Sequence, residues 1–132
     1  MKRVLFVCVE NSNWSQMAEA YARLQGADII EAASAGSKPG ASVSPKAVAA
    51  MAEVGYDLST HHPKSLTQVG DTPWDYVVTM GCGDDCPWVP TKHRIDWQLP
   101  DPRSLPAEDY RIVRDEIARR VHALIEELRQ EK

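Results

Sequence analysis

Near the start of the chain stand six consecutive apolar residues, Val4-Leu5-Phe6-Val7-Cys8-Val9, which break at once into a polar stretch, Glu10-Asn11-Ser12-Asn13. A run so short and so uniformly apolar suits a strand covered on both faces, the condition of a parallel sheet with layers on either side. We read this strand over Arg3 to Val7. Ser15 then stands where a helix N-cap belongs. Gln16 to Leu24 follow a helical period with Met17, Ala20, Tyr21 and Leu24 on one face, ended by Gly26. Ile29 to Ala35 reads as a second strand, closed by a turn region from Gly36 to Gly40. Ser44-Pro45 opens a second helix, because proline suits the first helical position. That helix runs through Met51 to about Val54 and stops at Gly55. Asp75 to Met80 is a third strand, and Ile95 to Trp97 falls in a short fourth. From about Ala107 a long amphipathic helix carries Ile112, Ile117, Val121, Leu124, Ile125 and Leu128 as its apolar stripe. Strands and helices alternate with no repeat, low-complexity segment or linker. This predicts one α/β domain over residues 1–132, built on a doubly wound parallel sheet.

Composition narrows the function. An apolar content of 43% in 132 residues supports a single real core. Charged residues make up 26% and the net charge is −4, with the basic residues scattered, so no nucleic-acid partner is expected. The Val4–Val9 run is far too short to span a membrane, and no small-residue cleavage site follows it. The expected compartment is therefore the cytoplasm, with no membrane partner. The three cysteines, Cys8, Cys82 and Cys86, are an odd number for a disulfide framework. In a reducing compartment they are free, catalytic or metal-binding thiols.

In doubly wound sheets ligands bind outside the carboxyl ends of the strands, and both cysteine segments fall there. Cys8 ends the first strand, with Val9, Glu10, Asn11, Ser12, Asn13 and Trp14 between it and Ser15. Backbone N–H groups of such a loop can converge on an anion, and the next helix adds its positive end. The same field suits a thiolate nucleophile attacking a phosphate-like oxyanion. For Asn11 and Ser15 a plain turn or cap role competes with holding the loop and bonding the sulfur.

Cys8 to Glu19, CVENSNWSQMAE, resembles the anion loop and first helix of the low-molecular-weight protein tyrosine phosphatases and their arsenate reductase relatives. The likeness extends over nearly the whole chain, through Ser34-Ala35-Gly36, Pro45-Lys46-Ala47, Val78-Thr79-Met80, Asp96-Trp97 and Asp101-Pro102. Gln16 looks like the reductase branch, since the phosphatase branch usually has proline there. The resemblance implies a three-layer sandwich around a four-stranded parallel sheet. The family's loop is a cysteine, five residues, then Arg-Ser, and Trp14 stands at the position of that arginine. An arginine grips two oxygens with a charged fork, whereas indole offers one neutral N–H. Losing such a contact is expected to cost roughly 1.5–3 kcal/mol, so Trp14 is expected to impair the site.

Cys82 and Cys86 are separated by three residues, the first of them Gly83. They could form half a zinc site, but no second Cys/His pair stands at ligand spacing, and His61, His62 and His93 are isolated. No metal and no cofactor are expected. The segment resembles the redox loop of thioredoxin-coupled arsenate reductases, which accounts for all three cysteines. That resemblance implies attack of Cys8 on arsenate with Asp101 as general acid, then a Cys8–Cys82 disulfide, then a Cys82–Cys86 disulfide reduced by thioredoxin or a small thiol. Asp101-Pro102 also reads as a simple turn. Some relatives bind an alkali cation through residues that correspond to Asn11, Glu19, Ser34 and position 64. Lys64 here is expected to fill the cation's place and pair with Glu19. His61 and His62 are read as loop residues, and Trp74, Trp88 and Trp97 as packing anchors. The competing functions are a protein tyrosine phosphatase and a non-catalytic oxyanion or redox-sensing module.

Overall fold

A computed structural model describes residues 1–69, 73–80, 91–100 and 105–130. Strand β1 (Lys2–Cys8) leads to helix α1 (Trp14–Gly26), β2 (Ile30–Gly36) and α2 (Pro45–Ala52). Two short 3₁₀ turns, Leu58–Thr60 and Leu66–Val69, precede β3 (Trp74–Met80), β4 (Thr91–Trp97) and α3 (Ala107–Gln130). The strands form one parallel sheet in the order β2-β1-β3-β4. After β1 the chain adds β2 on one side, then crosses back to lay β3 on the other. The order therefore reverses at β1, and its carboxyl end, at Cys8, lies at the switch point where such sheets open a crevice.

The continuous apolar run of β1 is explained by cover on both faces. Val4 and Phe6 join a large core with α1, α2 and α3, while Leu5 and Val7 join a smaller one with Ala35, Trp74, Val77, Leu66 and Val69. Alternation of successive side chains across a strand demands this division. The result is the expected sandwich of layers around a four-stranded parallel sheet. Among the described residues no helix is long and apolar enough to cross a membrane.

Several local expectations need correction. Ser15 is not the cap of α1: Asn13 flanks the helix, and Ser15 lies in its first turn. Leu24 is exposed, because the buried face of α1 runs through Met17, Ala18 and Tyr21. α2 ends at Ala52 rather than Val54, before a turn in which Gly55 takes a left-handed φ of 87°. β4 begins at Thr91, four residues before the short strand read from Ile95. On α3, Ile112 is 66% exposed, and the buried stripe starts instead at Tyr110, Val113 and Arg114. A helix turns about 100° per residue, so Ile112, two positions from both Tyr110 and Arg114, points about 200° away from them and out of the core. Trp74 and Trp97 are buried as anchors; Trp88 lies outside the described residues.

Candidate active site

The loop from Val9 to Asn13 is held from outside by its own carbonyls. The oxygens of Val9, Glu10 and Ser12 accept the backbone N–H groups of Lys38, Gly40 and Ser44, at 2.8, 2.9 and 2.9 Å. In a trans peptide the following N–H points the opposite way, and the described chain has no cis bond. The N–H groups of Glu10, Asn11 and Asn13 therefore turn inward. That of Asn11 donates to Cys8 Sγ at 3.2 Å.

Asn11 makes this turn with φ of 53°, the only positive value of a non-glycine residue among those described. Asparagine tolerates the left-handed region better than most residues. Its side chain bonds on both its oxygen and its nitrogen. Oδ1 accepts from Lys64 N at 2.9 Å and from Gln16 Nε2 at 3.0 Å, and Nδ2 donates to Ser15 Oγ at 2.8 Å. The Ser15 hydroxyl thus has one acceptor site filled, and its own proton is free for Cys8 Sγ, 2.8 Å away. Two donors converge on one partly buried sulfur, an arrangement suited to a thiolate nucleophile.

Close approach of β2 completes the cradle. Cys8 pairs with Gly36, and a Cβ on Gly36 would strike the Val9 carbonyl oxygen and come within 3.0 Å of Asn11 N. Only glycine fits between strand and loop.

A second tier supports the first. Gln16, fully buried, donates through Nε2 to the carbonyls of Asn11 and His62, both at 3.0 Å, and accepts at Oε1 from His61 Nδ1 at 2.9 Å. His61 Nε2 is then the acceptor for Tyr56 Oη, 2.6 Å away. Burial holds the His61 imidazole below its ordinary pKa, with Arg23, Lys64 and His62 acting in the same sense against the pull of Glu19. Glu19, 2% exposed, accepts from Ser34 Oγ at 2.6 Å and lies 2.8 Å from Arg23 and 3.7 Å from Lys64 Nζ. The structure therefore brings Cys8, Asn11, Ser15, Glu19, Ser34 and Lys64 into one assembly behind the loop. Cys82, Cys86 and Asp101 lie outside the described residues.

Trp14 is held by residues of other segments. Its side chain, 2% exposed, lies 4.7 Å from the Tyr110 ring between centroids, and Nε1 donates to Pro100 O at 2.8 Å. Tyr110 Oη in turn donates to Asn13 Oδ1 at 2.6 Å, and burial raises its pKa and keeps it a donor. The sequence reading missed Tyr110, Gly36 and the structural part played by Gln16 and His61. Gly36 carried a signal, ending a strand beside a loop, but the other partners are remote along the chain.

A parallel sheet with a cysteine cradled between its central strand and first helix defines a class of cysteine-dependent oxyanion-handling proteins. The chain belongs to the low molecular weight phosphotyrosine protein phosphatase family, whose model matches residues 3–132. It is 40% identical over 128 residues to the glutaredoxin arsenate reductase of Synechocystis, covering 95% of this chain and 97% of that one. Among solved structures it is similar to an arsenate reductase in the phosphate-binding state, with a TM-score of 0.88, 39% identity, and coverage of 97% and 99%. It is also similar to a thioredoxin-dependent arsenate reductase of Corynebacterium glutamicum, with a TM-score of 0.77, 33% identity, and coverage of 100% of this chain and 64% of that one.

Proposed function

We propose that this protein reduces arsenate to arsenite with Cys8 as nucleophile and a dithiol relay through Cys82 and Cys86. The observation that carries the reading is the convergence of Asn11 N–H and Ser15 Oγ on Cys8 Sγ, inside a loop whose N–H groups face inward. The relatives named as arsenate reductases support the choice of substrate. In the proposed sequence the Cys8 sulfur displaces an oxygen of arsenate, which leaves as water with a proton from Asp101. Cys82 then attacks the Cys8 sulfur. The sulfur–arsenic electron pair passes to arsenic, arsenate becomes arsenite, and a Cys8–Cys82 disulfide remains. Cys86 attacks Cys82, frees Cys8, and presents a Cys82–Cys86 disulfide to an external dithiol. Thioredoxin is the proposed reductant, after the C. glutamicum relative. Glutaredoxin is the alternative that the Synechocystis relative suggests.

A coupled assay tests this: NADPH consumption with arsenate, thioredoxin and its reductase, beside a glutaredoxin arm and a phosphotyrosine-analogue arm. Arsenate-dependent oxidation abolished in Cys8→Ser is the expected result. After one turnover without reductant, peptide mapping is expected to find Cys82–Cys86 in the wild type and Cys8–Cys82 in Cys86→Ser. Three free thiols after arsenite release would overturn the relay. Hydrolysis of the phosphotyrosine analogue without arsenate reduction would make the protein a phosphatase.

Trp14 is proposed to weaken this activity. In Trp14→Arg, two restored charge-assisted hydrogen bonds are expected to contribute about 3 kcal/mol, on the order of a hundredfold in kcat/KM. The gain requires the arginine to reach the cradle rather than remain in the Pro100–Tyr110 pocket. A drop in thermal stability from the lost indole packing is expected to accompany it.

A further inference from the structure

Side chains hold the loop at two places. At Asn11 the bonds run to Ser15, Gln16 and Lys64, and this half of the loop serves Cys8 Sγ. At the other end stands Asn13, the last residue before α1. Its inward N–H belongs to the Ser12–Asn13 peptide, whose oxygen accepts from Ser44 N at 2.9 Å. Its side-chain oxygen accepts the proton of Tyr110 Oη at 2.6 Å, which leaves Nδ2 turned to Ser12 Oγ, 3.3 Å away. Tyr110 stands 97 positions further along the chain, and three contacts fix its hydroxyl in place. Its ring packs on Trp14 with centroids 4.7 Å apart, its backbone N–H donates to Pro106 O at 2.9 Å, and the whole residue is 2% exposed within the core that α3 closes. A donor already held so firmly gives up little conformational freedom in bonding Asn13.

We infer that Tyr110 is a positioning residue of the oxyanion site: through Asn13 it keeps one inward N–H of the loop on the ligand, and so sets anion affinity separately from the bonds that serve the Cys8 sulfur. The inference rests on the reading of this loop as an oxyanion cradle and adds a residue of α3 to its construction. Without the hydroxyl, the Asn13 oxygen loses its donor and the side chain is free to rotate, which loosens the peptide next to it. Asn11 and Ser15 keep their own partners. An N–H that bonds the anion equally before and during attack supplies uniform binding, so misplacing it raises KM and leaves kcat alone.

Tyr110→Phe tests this, because it removes the hydroxyl and keeps the ring on Trp14. The reduced, full-length variant and wild type are titrated with inorganic phosphate by calorimetry, beside arsenate kinetics, thermal melting, and the rate of Cys8 alkylation against pH read by peptide mass spectrometry. Phosphate affinity is expected to fall about fivefold and KM for arsenate to rise by the same factor, while kcat and the Cys8 alkylation profile stay as in the wild type. A double-mutant cycle with Asn13→Ala fixes the route: once the acceptor is gone, adding Tyr110→Phe is expected to weaken phosphate no further. Losses that add in the cycle overturn the inference, as does a Cys8 profile that shifts along with phosphate affinity. A purely structural tyrosine would lower the melting temperature with phosphate affinity unchanged, and that result also overturns it. If the wild type binds phosphate and reduces arsenate in that case, the inference fails alone. If the wild type neither binds phosphate nor reduces arsenate, the function proposed above fails with it.

Discussion

At the scale of single residues, Asn11 is the hinge of the site. It combines a left-handed backbone with side-chain bonds to Ser15, Gln16 and Lys64. Asn11→Gly keeps the backbone free to turn and removes only the side chain, so arsenate turnover is expected to fall about tenfold, the equivalent of about 1.4 kcal/mol. Asn11→Ala adds about 1–2 kcal/mol of backbone strain and is expected to be the less stable of the two in urea denaturation. His61 provides a second residue-scale expectation. In the unfolded chain its imidazole takes a proton as the pH falls below 6.5, while the buried imidazole resists. The unfolded state then binds more protons, and stability contributed above pH 6.5 is lost as the pH drops through the lower folded value. His61→Gln retains an amide donor for Gln16 without titrating. Its stability is expected to be flatter than that of the wild type between pH 7 and pH 5, measured by thermal denaturation across that range.

At the scale of elements, the decisive contact is the end of β2 against the loop that leaves β1. Gly36 pairs with Cys8, and its N–H donates to Lys64 O at 2.8 Å, so one residue joins strand, loop and the segment that carries Lys64. Gly36→Ala inserts a methyl group where none fits. The expected cost is about 1–3 kcal/mol, with a larger loss of turnover, because relief comes from displacing the Val9 carbonyl and with it the inward N–H of Glu10. Circular dichroism melting and the coupled assay read the two effects separately. Gly26 at the end of α1 makes a contrasting case: the nearest atoms a Cβ there would meet belong to the side chain of Ile125 rather than to backbone, and its effect is expected on packing alone.

At the scale of the whole molecule, α3 closes the large core over α1 and the sheet. Ile117, Val121, Leu124, Ile125 and Leu128 are all buried, and Tyr110 at its start reaches Asn13 of the loop. Arg114 ties the same helix to α2 through Ala50 O at 3.1 Å and Glu53 Oε1 at 2.6 Å. Ile117 lies seven residues, about 10 Å along the helix, from Tyr110. Ile117→Ala is therefore expected to cost about 2–5 kcal/mol, a large fraction of a small domain's stability, while KM for arsenate stays unchanged. A rise in KM would mean that the core and the loop are mechanically coupled through α3.

The architecture was legible in the chain because its signals are local. Six apolar residues in a row demand cover on both faces, alternation of strand and helix patterns demands parallel pairing, and a cysteine at a strand end before a polar loop lies where such sheets bind ligands. Pairing of Cys8 with Ser15, seven residues on, and of Glu19 with Lys64 was also readable, the latter through the family resemblance. Tertiary structure decided the remainder. Ser15 looked like a cap because serine commonly caps, but the loop's turn at Asn11 carries its hydroxyl to the sulfur instead. Ile112 looked like core because it is apolar, yet helical phase gives that face to Arg114, whose charge is met by Glu53 and Asp115. The residue type at position 14 was plain in the sequence, but only the fold shows that the Trp14 indole bridges Pro100 and Tyr110, residues 86 and 96 positions away. Local pattern determines which elements form and where they end in sequence. Which side chains meet across them depends on the rotation and depth of each element, and those are set only when the whole core packs.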